Sequence, residues 1–288
     1  MTQLKLDTDA KITWCPGCGN FAILNAIKPV LLELNDEGIL PLENVVLVSG
    51  IGCHAKIVDY IDINSVYSIH GRTIPVATGI KLANPELTVI CFTGDGDAYA
   101  EGLDHLIFAA KRNVNITTII HNNRVYGLTT GQYTPTSPTN FKGKSTPFGL
   151  DVRPINPLDI AFTSGATFIA RGYSHGIDLL KDIFKKAVLH QGFSFVDVLQ
   201  VCVSFFNMYQ YYNQNTYRLE EHDPEDHDAA YEKIREWDYN SNDCATPHIP
   251  LGIFYREDSK TFETNFLNSG LSTEDRDLEI KASLKSYL

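Results

Sequence analysis

Two short polar stretches constrain this chain more than anything else in it: Thr93-Gly94-Asp95-Gly96-Asp97, and the pair Asn122-Asn123, whose second member follows Asp95 by 28 residues. Residues 87–92 form a β-branched apolar run that reads as a buried parallel strand, and the glycines stop it. Residues 98–112 then carry a helical apolar rhythm. Gly94-Asp95-Gly96 is thereby placed where a strand hands over to a helix N-terminus, whose free amides and dipole favour phosphate. A second apolar strand, residues 116–120, ends at His121-Asn122-Asn123-Arg124-Val125-Tyr126-Gly127. In a parallel sheet both strands end on one edge, which brings Asp95 and Asn123 together as hard oxygen ligands. A carboxylate, an amide oxygen, a backbone carbonyl and two phosphate oxygens suit an octahedral Mg²⁺ clamping a diphosphate. Taken alone, Gly-Asp-Gly is a tight turn and Asn-Asn an ordinary loop; the spacing and the matched strand ends favour the metal. A dinucleotide fingerprint fits less well, because Tyr99 stands where that motif needs a small third glycine.

The cysteines form a second pattern. Cys15-Pro-Gly-Cys18-Gly19 precedes an expected helix over residues 21–34, with Asn20 as its cap and a kink at Pro29. A Cys-x-x-Cys pair serves zinc, an iron-sulfur cluster or a redox dithiol equally well, and no second such pair exists to complete a zinc ribbon. Cys53 lies in the glycine-rich turn after a strand over residues 45–48, and Cys202 lies just past a strand over residues 193–199. Both can reach the rim where the strands end, and four thiolates suit a [4Fe-4S] cluster. Cys91 sits inside an apolar strand and reads as core packing, whereas Cys244, in a polar tail, reads as incidental.

Five stretches together resemble one family. GDGDAYAEGLDHLIFAAKRN and HNNRVYGLTTGQ resemble the thiamine-diphosphate motif of the β subunits of 2-oxoacid:ferredoxin oxidoreductases. WCPGCGN at residues 14–20, SGIGC at 49–53 and HGRTIPVATGIKLANP at 70–85 extend the resemblance, which runs from about residue 14 to about residue 206. It implies that Cys15, Cys18, Cys53 and Cys202 hold a [4Fe-4S] cluster and that Ile51, Gly52, Cys53, His54 and His70 touch thiamine diphosphate. Gly94, Gly96, Asp97, Gly127 and Leu128 are assigned to the same cofactor, with Asp95, Asn123 and the Val125 carbonyl on Mg²⁺. Lys56 corresponds to a lysine near the reacting centre, and with His70 is the expected catalytic pair. A lysine there is otherwise a solvated helix residue, and a histidine at a strand end is more often structural. Two positions depart from the family pattern: His54 replaces a smaller residue, and Thr130 stands where several relatives place a lysine thought to help choose the substrate.

The resemblance implies CoA-dependent oxidative decarboxylation of a 2-oxoacid, with electrons passed to ferredoxin. The glutamate that activates thiamine comes in this family from a separate α subunit, so this chain is expected to work as half of an αβ or (αβ)2 assembly. The 127–132 pattern looks more like that of 2-oxoglutarate or broad-range members than of pyruvate-specific ones. Other readings are a thiamine-dependent decarboxylase or lyase without a cluster, and a non-catalytic zinc-binding scaffold.

The fold expected is α/β: a doubly wound, mostly parallel sheet of the thiamine-diphosphate-binding type over residues 1–210, with a C-terminal subunit-wrapping tail over residues 211–288 that carries a late apolar strand or arm at 249–255. A chain of 288 residues with 43% hydrophobic content buries a substantial core. The net charge of -11 argues against a nucleic-acid partner. The absence of a signal-peptide pattern or a membrane-length apolar run leads to an expected cytoplasmic location. Residues 125–147, rich in Gly, Thr, Pro and Ser, are too long for a mere connection and read as an active-site loop.

Overall fold

The computed structural model describes residues 5–240, 248–264 and 273–285. Val45–Ser49 (β1), Ser65–Tyr67 (β2), Thr88–Gly94 (β3), Thr117–Asn122 (β4), Phe168–Tyr173 (β5) and Ser194–Leu199 (β6) run parallel to one another. Thr216–Arg218 (β7) and Ile249–Arg256 (β8) complete an eight-stranded sheet in the order β2-β1-β3-β4-β6-β5-β8-β7. From β1 the chain builds outward to β2, then crosses back to lay β3 on the other side of β1. That reversal opens a crevice beyond the carboxyl ends of β1 and β3, where open α/β sheets bind ligands.

The central strands are buried along nearly their whole length, as the continuous apolar runs require of strands covered on both faces. Leu47, Ile90, Ile119 and Val196 point into one core, shared with the helices Asn20–Asp36 (α1) and Ile177–Leu189 (α5). Val48, Cys91, Ile120 and Phe195 point into the other, shared with Thr73–Ala83 (α2), Leu103–Arg112 (α3) and Pro157–Thr163 (α4). Cys91 is packing material, as its strand position implied.

Two local expectations change. Asn20 does not cap α1: Gly19 takes that place, and the Asn20 side chain makes no capping bond. The Gly19 amide is tied to the Val201 carbonyl at 3.1 Å, so the helix starts against the sheet and Asn20 turns inward, its Oδ1 2.8 Å from His121 Nδ1. The helix spans Asn20 to Asp36 with Pro29 inside it. The single helix expected over residues 98–112 begins instead as a wide-turned π segment, Asp97–Glu101, followed by Gly102 and α3. Asp97 is held from outside the helix, by the Gly71 amide and the Thr93 hydroxyl.

Residues 211–240 and 248–256, expected as part of a wrapping tail, supply structure to the sheet itself. β8 pairs antiparallel with β5, and β7 pairs with β8. Tyr212 on Tyr209–Asn215 (α6), Ile234 on His227–Arg235 (α7) and Trp237 join the core cluster that holds Val48 and Cys91. The helix Thr273–Lys285 leaves Leu278, Ile280 and Leu284 exposed. Cys244 lies outside the described residues.

Candidate active site

Strand register builds the site. Ser49 pairs with Phe92, Gly94 with His121 and Asn122 with Leu199, so β1, β3, β4 and β6 end nearly level. The segments leaving them, residues 50–54, 94–97, 122–128 and 200–205, therefore share one rim.

A cavity of about 80 Å³ opens there. Ile51, Gly52, Cys53 and His54 close it from β1, and Gly94, Asp95, Gly96 and Asp97 from β3. Asn123, Val125, Gly127 and Leu128 close it from β4, and His70 from the segment before α2. Every residue expected at thiamine diphosphate or magnesium lines this one space. The walls approach closely because glycines allow it: a Cβ on Gly96 would lie 2.2 Å from the Tyr126 ring, and one on Gly50 would lie 1.7 Å from Asp97 Oδ2.

Its two carboxylates are held in opposite ways. Burial works to raise Asp97, but His54 and His70 and the Gly71 amide outweigh it, and the carboxylate is held well below its ordinary range. His54 Nε2 lies 3.4 Å and His70 Nδ1 3.1 Å from its oxygens, and the Thr93 hydroxyl donates at 2.7 Å. The Asp97 hydrogen bond in turn raises His70, which also stands 3.4 Å from Glu101. Asp95 is held by neutral groups. Burial pushes its carboxyl up to about 6, against the threonine hydroxyls that lower it. Thr136 Oγ1 lies 3.0 Å from Asp95 Oδ2 and 2.9 Å from Asn122 Oδ1, and Asn122 Nδ2 donates to Asp197. A carboxyl so placed is one that a bound divalent cation would ionise and hold. Asn123 Oδ1 accepts from the Val125 amide at 3.0 Å, which fixes the amide oxygen within the turn.

A second cavity, of about 160 Å³, adjoins the first and shares Gly52, Cys53, Asn123, Gly127 and Leu128 with it. Cys15, Cys18, Cys53 and Cys202 all line it. A Cβ on Gly127 would sit 3.6 Å from Cys53 Sγ and 3.8 Å from Cys202 Sγ, so at Gly127 the wall between the two spaces is bare backbone. Burial pushes the Cys18 thiol up to about 12 and raises Cys53 as well. Burial thus keeps both sulfurs protonated near neutral pH, and a bound metal is what would convert them to thiolates. The sulfurs have company: Gln200 Nε2 donates to Cys18 Sγ at 3.6 Å and Ser204 Oγ to Cys15 Sγ at 3.4 Å. Lys56 stands on the wall of this second cavity, half exposed, with Nζ on Asp59 at 3.1 Å.

Residues 50–198 match the family described as thiamine pyrophosphate enzyme, C-terminal TPP binding domain, and residues 202–269 match the C-terminal family of the pyruvate ferredoxin oxidoreductase beta subunit. The β subunit of 2-oxoacid:ferredoxin oxidoreductase 1 from Aeropyrum pernix is 43% identical over 262 residues, 86% of this chain and 79% of that one. The chain belongs to the β subunits of the 2-oxoacid:ferredoxin oxidoreductases. As such a β subunit it is the thiamine-diphosphate-binding part of an oxidoreductase that acts with an α partner. Among its relatives is the 2-oxoglutarate oxidoreductase subunit KorB of Mycobacterium tuberculosis, 43% identical over 198 residues, 69% of this chain and 52% of that one. A solved 2-oxoglutarate:ferredoxin oxidoreductase from Magnetococcus marinus, with 2-oxoglutarate, coenzyme A and succinyl-CoA bound, superposes with a TM-score of 0.86 at 32% identity, over 93% of this chain and 90% of that one.

For this β subunit, sequence reasoning missed four residues of the site. His121 and Tyr126 line the first cavity, Gln200 lines the second, and Thr136 braces Asp95 from the loop. His121 and Tyr126 lie within HNNRVYGLTTGQ and Gln200 stands two residues before Cys202, and that placement was the available signal. Thr136 carried none, since it meets Asp95 only through the fold of the loop.

Proposed function

We propose that this chain holds Mg²⁺ through Asp95, Asn123 and the Val125 carbonyl, and carries a [4Fe-4S] cluster on Cys15, Cys18, Cys53 and Cys202. In this reading it serves as the decarboxylating half of a CoA-dependent, ferredoxin-reducing enzyme whose favoured acid is 2-oxoglutarate. The observation that carries the reading is the shared wall: the oxygen ligands and the four sulfurs line two cavities divided by Gly52, Cys53, Asn123, Gly127 and Leu128. When bound, thiamine diphosphate supplies a carbanionic carbon that adds to the keto group of the acid and a sink for the electrons left as CO₂ departs. A [4Fe-4S] cluster supplies a one-electron acceptor beside it.

This chain's residues do the positioning. The backbone at Gly94 and Gly96 lets a diphosphate approach closely, and Asp95 and Asn123 supply hard oxygen to its cation. Asp97, kept ionised, orients His54 and His70, and the shift on His70 lets it hold a proton at the mouth of the cavity. Leu128 and Ile51 present apolar side chains at that mouth, where an α subunit bringing the missing glutamate would close over them and exclude water. Lys144 Nζ donates to Thr130 Oγ1 at 2.7 Å, so a cation stands beside the position that lacks the relatives' lysine, suited to the distal carboxylate of 2-oxoglutarate. Cys15 is the exposed cysteine of the four, which gives a protein electron acceptor such as ferredoxin its nearest approach. Among the described residues no helix is long and apolar enough to cross a membrane, and the reading places an αβ or (αβ)2 assembly in the cytoplasm.

The test is to co-express the chain with its α partner, purify the pair without oxygen, and measure iron, sulfide, thiamine and CoA-dependent viologen reduction. With 2-oxoglutarate, pyruvate and branched acids compared, 2-oxoglutarate should give the highest kcat/KM. Zinc in place of iron, thiamine turnover without iron, or full activity from this chain alone would overturn the reading.

A further inference from the structure

Two hydrogen bonds in the cysteine cavity end on sulfur. Gln200 is 1% exposed, and its Nε2 has two protons with two destinations: the Val201 carbonyl at 2.8 Å and Cys18 Sγ at 3.6 Å. The first bond fixes the amide plane, and the backbone beneath it is tied to β4 by the Gln200 amide, which donates to the Asn122 carbonyl at 3.0 Å, so the second proton is aimed at the sulfur. Among the described residues its buried Oε1 has no hydrogen-bond partner. An orphaned acceptor at a fully buried amide is a cost, one the fold tolerates when the donor end has a use. Ser204, on the turn beyond Cys202, donates its hydroxyl proton to Cys15 Sγ at 3.4 Å.

We propose that Gln200 and Ser204 set the reduction potential of the centre held by the four cysteines. The inference rests on the [4Fe-4S] reading given above. Reduction adds one electron to that centre, and no proton need move and no bond need break. The added negative charge is shared with the cysteine sulfurs. A donor already aimed at a sulfur therefore binds the reduced form more tightly than the oxidised one and raises the potential. Gln200 carries the larger effect, because it is buried and water cannot replace it once removed; Ser204 is exposed, and water can substitute in part.

The experiment is a potentiometric titration, followed by electron paramagnetic resonance, of the intact pair with its α partner. Wild type, Gln200→Leu, Ser204→Ala and Ser204→Thr are compared, with iron, sulfide and visible absorbance measured on each. Gln200→Leu should keep its cluster and lose about tenfold in affinity for the electron, a shift of about 59 mV to lower potential for a one-electron couple. Ser204→Ala should move the same way by less, and Ser204→Thr, which keeps the hydroxyl, should match wild type. Potentials that coincide for wild type and Gln200→Leu with clusters intact would overturn the proposal. If Gln200→Leu fails to assemble, a Ser204→Ala potential equal to that of wild type would overturn it. Iron missing from wild type would instead remove the four-cysteine reading, and this inference with it.

Discussion

Asp95, the proposed magnesium ligand, shows how much of such a site would lie behind its ligand. Its carboxylate is 2% exposed, and Thr136 is the described side chain that reaches its Oδ2 by hydrogen bond while also reaching Asn122. Thr136→Val keeps the shape and deletes the hydroxyl, so Asp95 loses one of the two threonine hydroxyls that hold it. Affinity for Mg²⁺ should fall by about 10–100-fold, read by Mn²⁺ titration with electron paramagnetic resonance, while Thr136→Ser stays near wild type. Gly50 is a second single-residue constraint of a different kind. A methyl group there would overlap Asp97 Oδ2 at 1.7 Å and press from the backbone side on the carboxylate that Thr93 also holds. Gly50→Ala should cost about 1–3 kcal/mol in urea unfolding, because a buried, multiply bonded carboxylate has nowhere to go.

At the scale of elements, the loop over residues 125–147 is anchored by the residue just before it. Arg124 has a left-handed backbone, φ 61°, and a fully buried guanidinium. Its Nε donates to the Thr136 carbonyl at 2.6 Å, and its Nη2 donates to the Tyr239 carbonyl. The guanidinium also lies 5.6 Å from the Trp237 ring centroid. One side chain thus ties the Asn122-Asn123 turn, the loop and the C-terminal part of the chain together, which is why the loop can hold a shape despite its Gly, Pro and Ser content. Further along the loop, Lys144 beside Thr130 is exposed. Lys144→Ala should leave stability unchanged and raise KM for 2-oxoglutarate by about tenfold, the worth of one charge-assisted contact, with pyruvate little affected. Equal effects on both acids would show that Lys144 does not read the distal carboxylate.

For the whole molecule, pH stability has a contributor far from the site. Burial holds His190 at about 4 instead of 6.5, with its Nε2 2.8 Å from Thr167 Oγ1 between β5 and α5. The unfolded chain takes up this proton first as pH falls, so the native state is unpenalised above pH 6.5 and loses on the order of 3 kcal/mol as pH drops towards 4. His190→Gln should flatten the fall in melting temperature across that window. The sheet's far edge depends equally on distant chain: β8 covers β5, and Arg171, fully buried, reaches the Pro250 carbonyl and the Tyr239 hydroxyl. The strands, the two motif turns and the four cysteines were legible in sequence because each is a local pattern, a run of apolar residues stopped by glycine or a fixed spacing of ligands. The apolar run at 249–255 was visible too, but nothing local said that it would pair with β5. The sequence by itself determined which chemistry the chain can host, since ligand type and strand ends are written in consecutive residues. Only the tertiary structure decided that two cavities share one wall, that Thr136 and Gln200 stand behind the ligands, and that the C-terminal part holds the loop. Those are contacts between residues far apart in the chain, and the free energy that selects them belongs to the packed molecule.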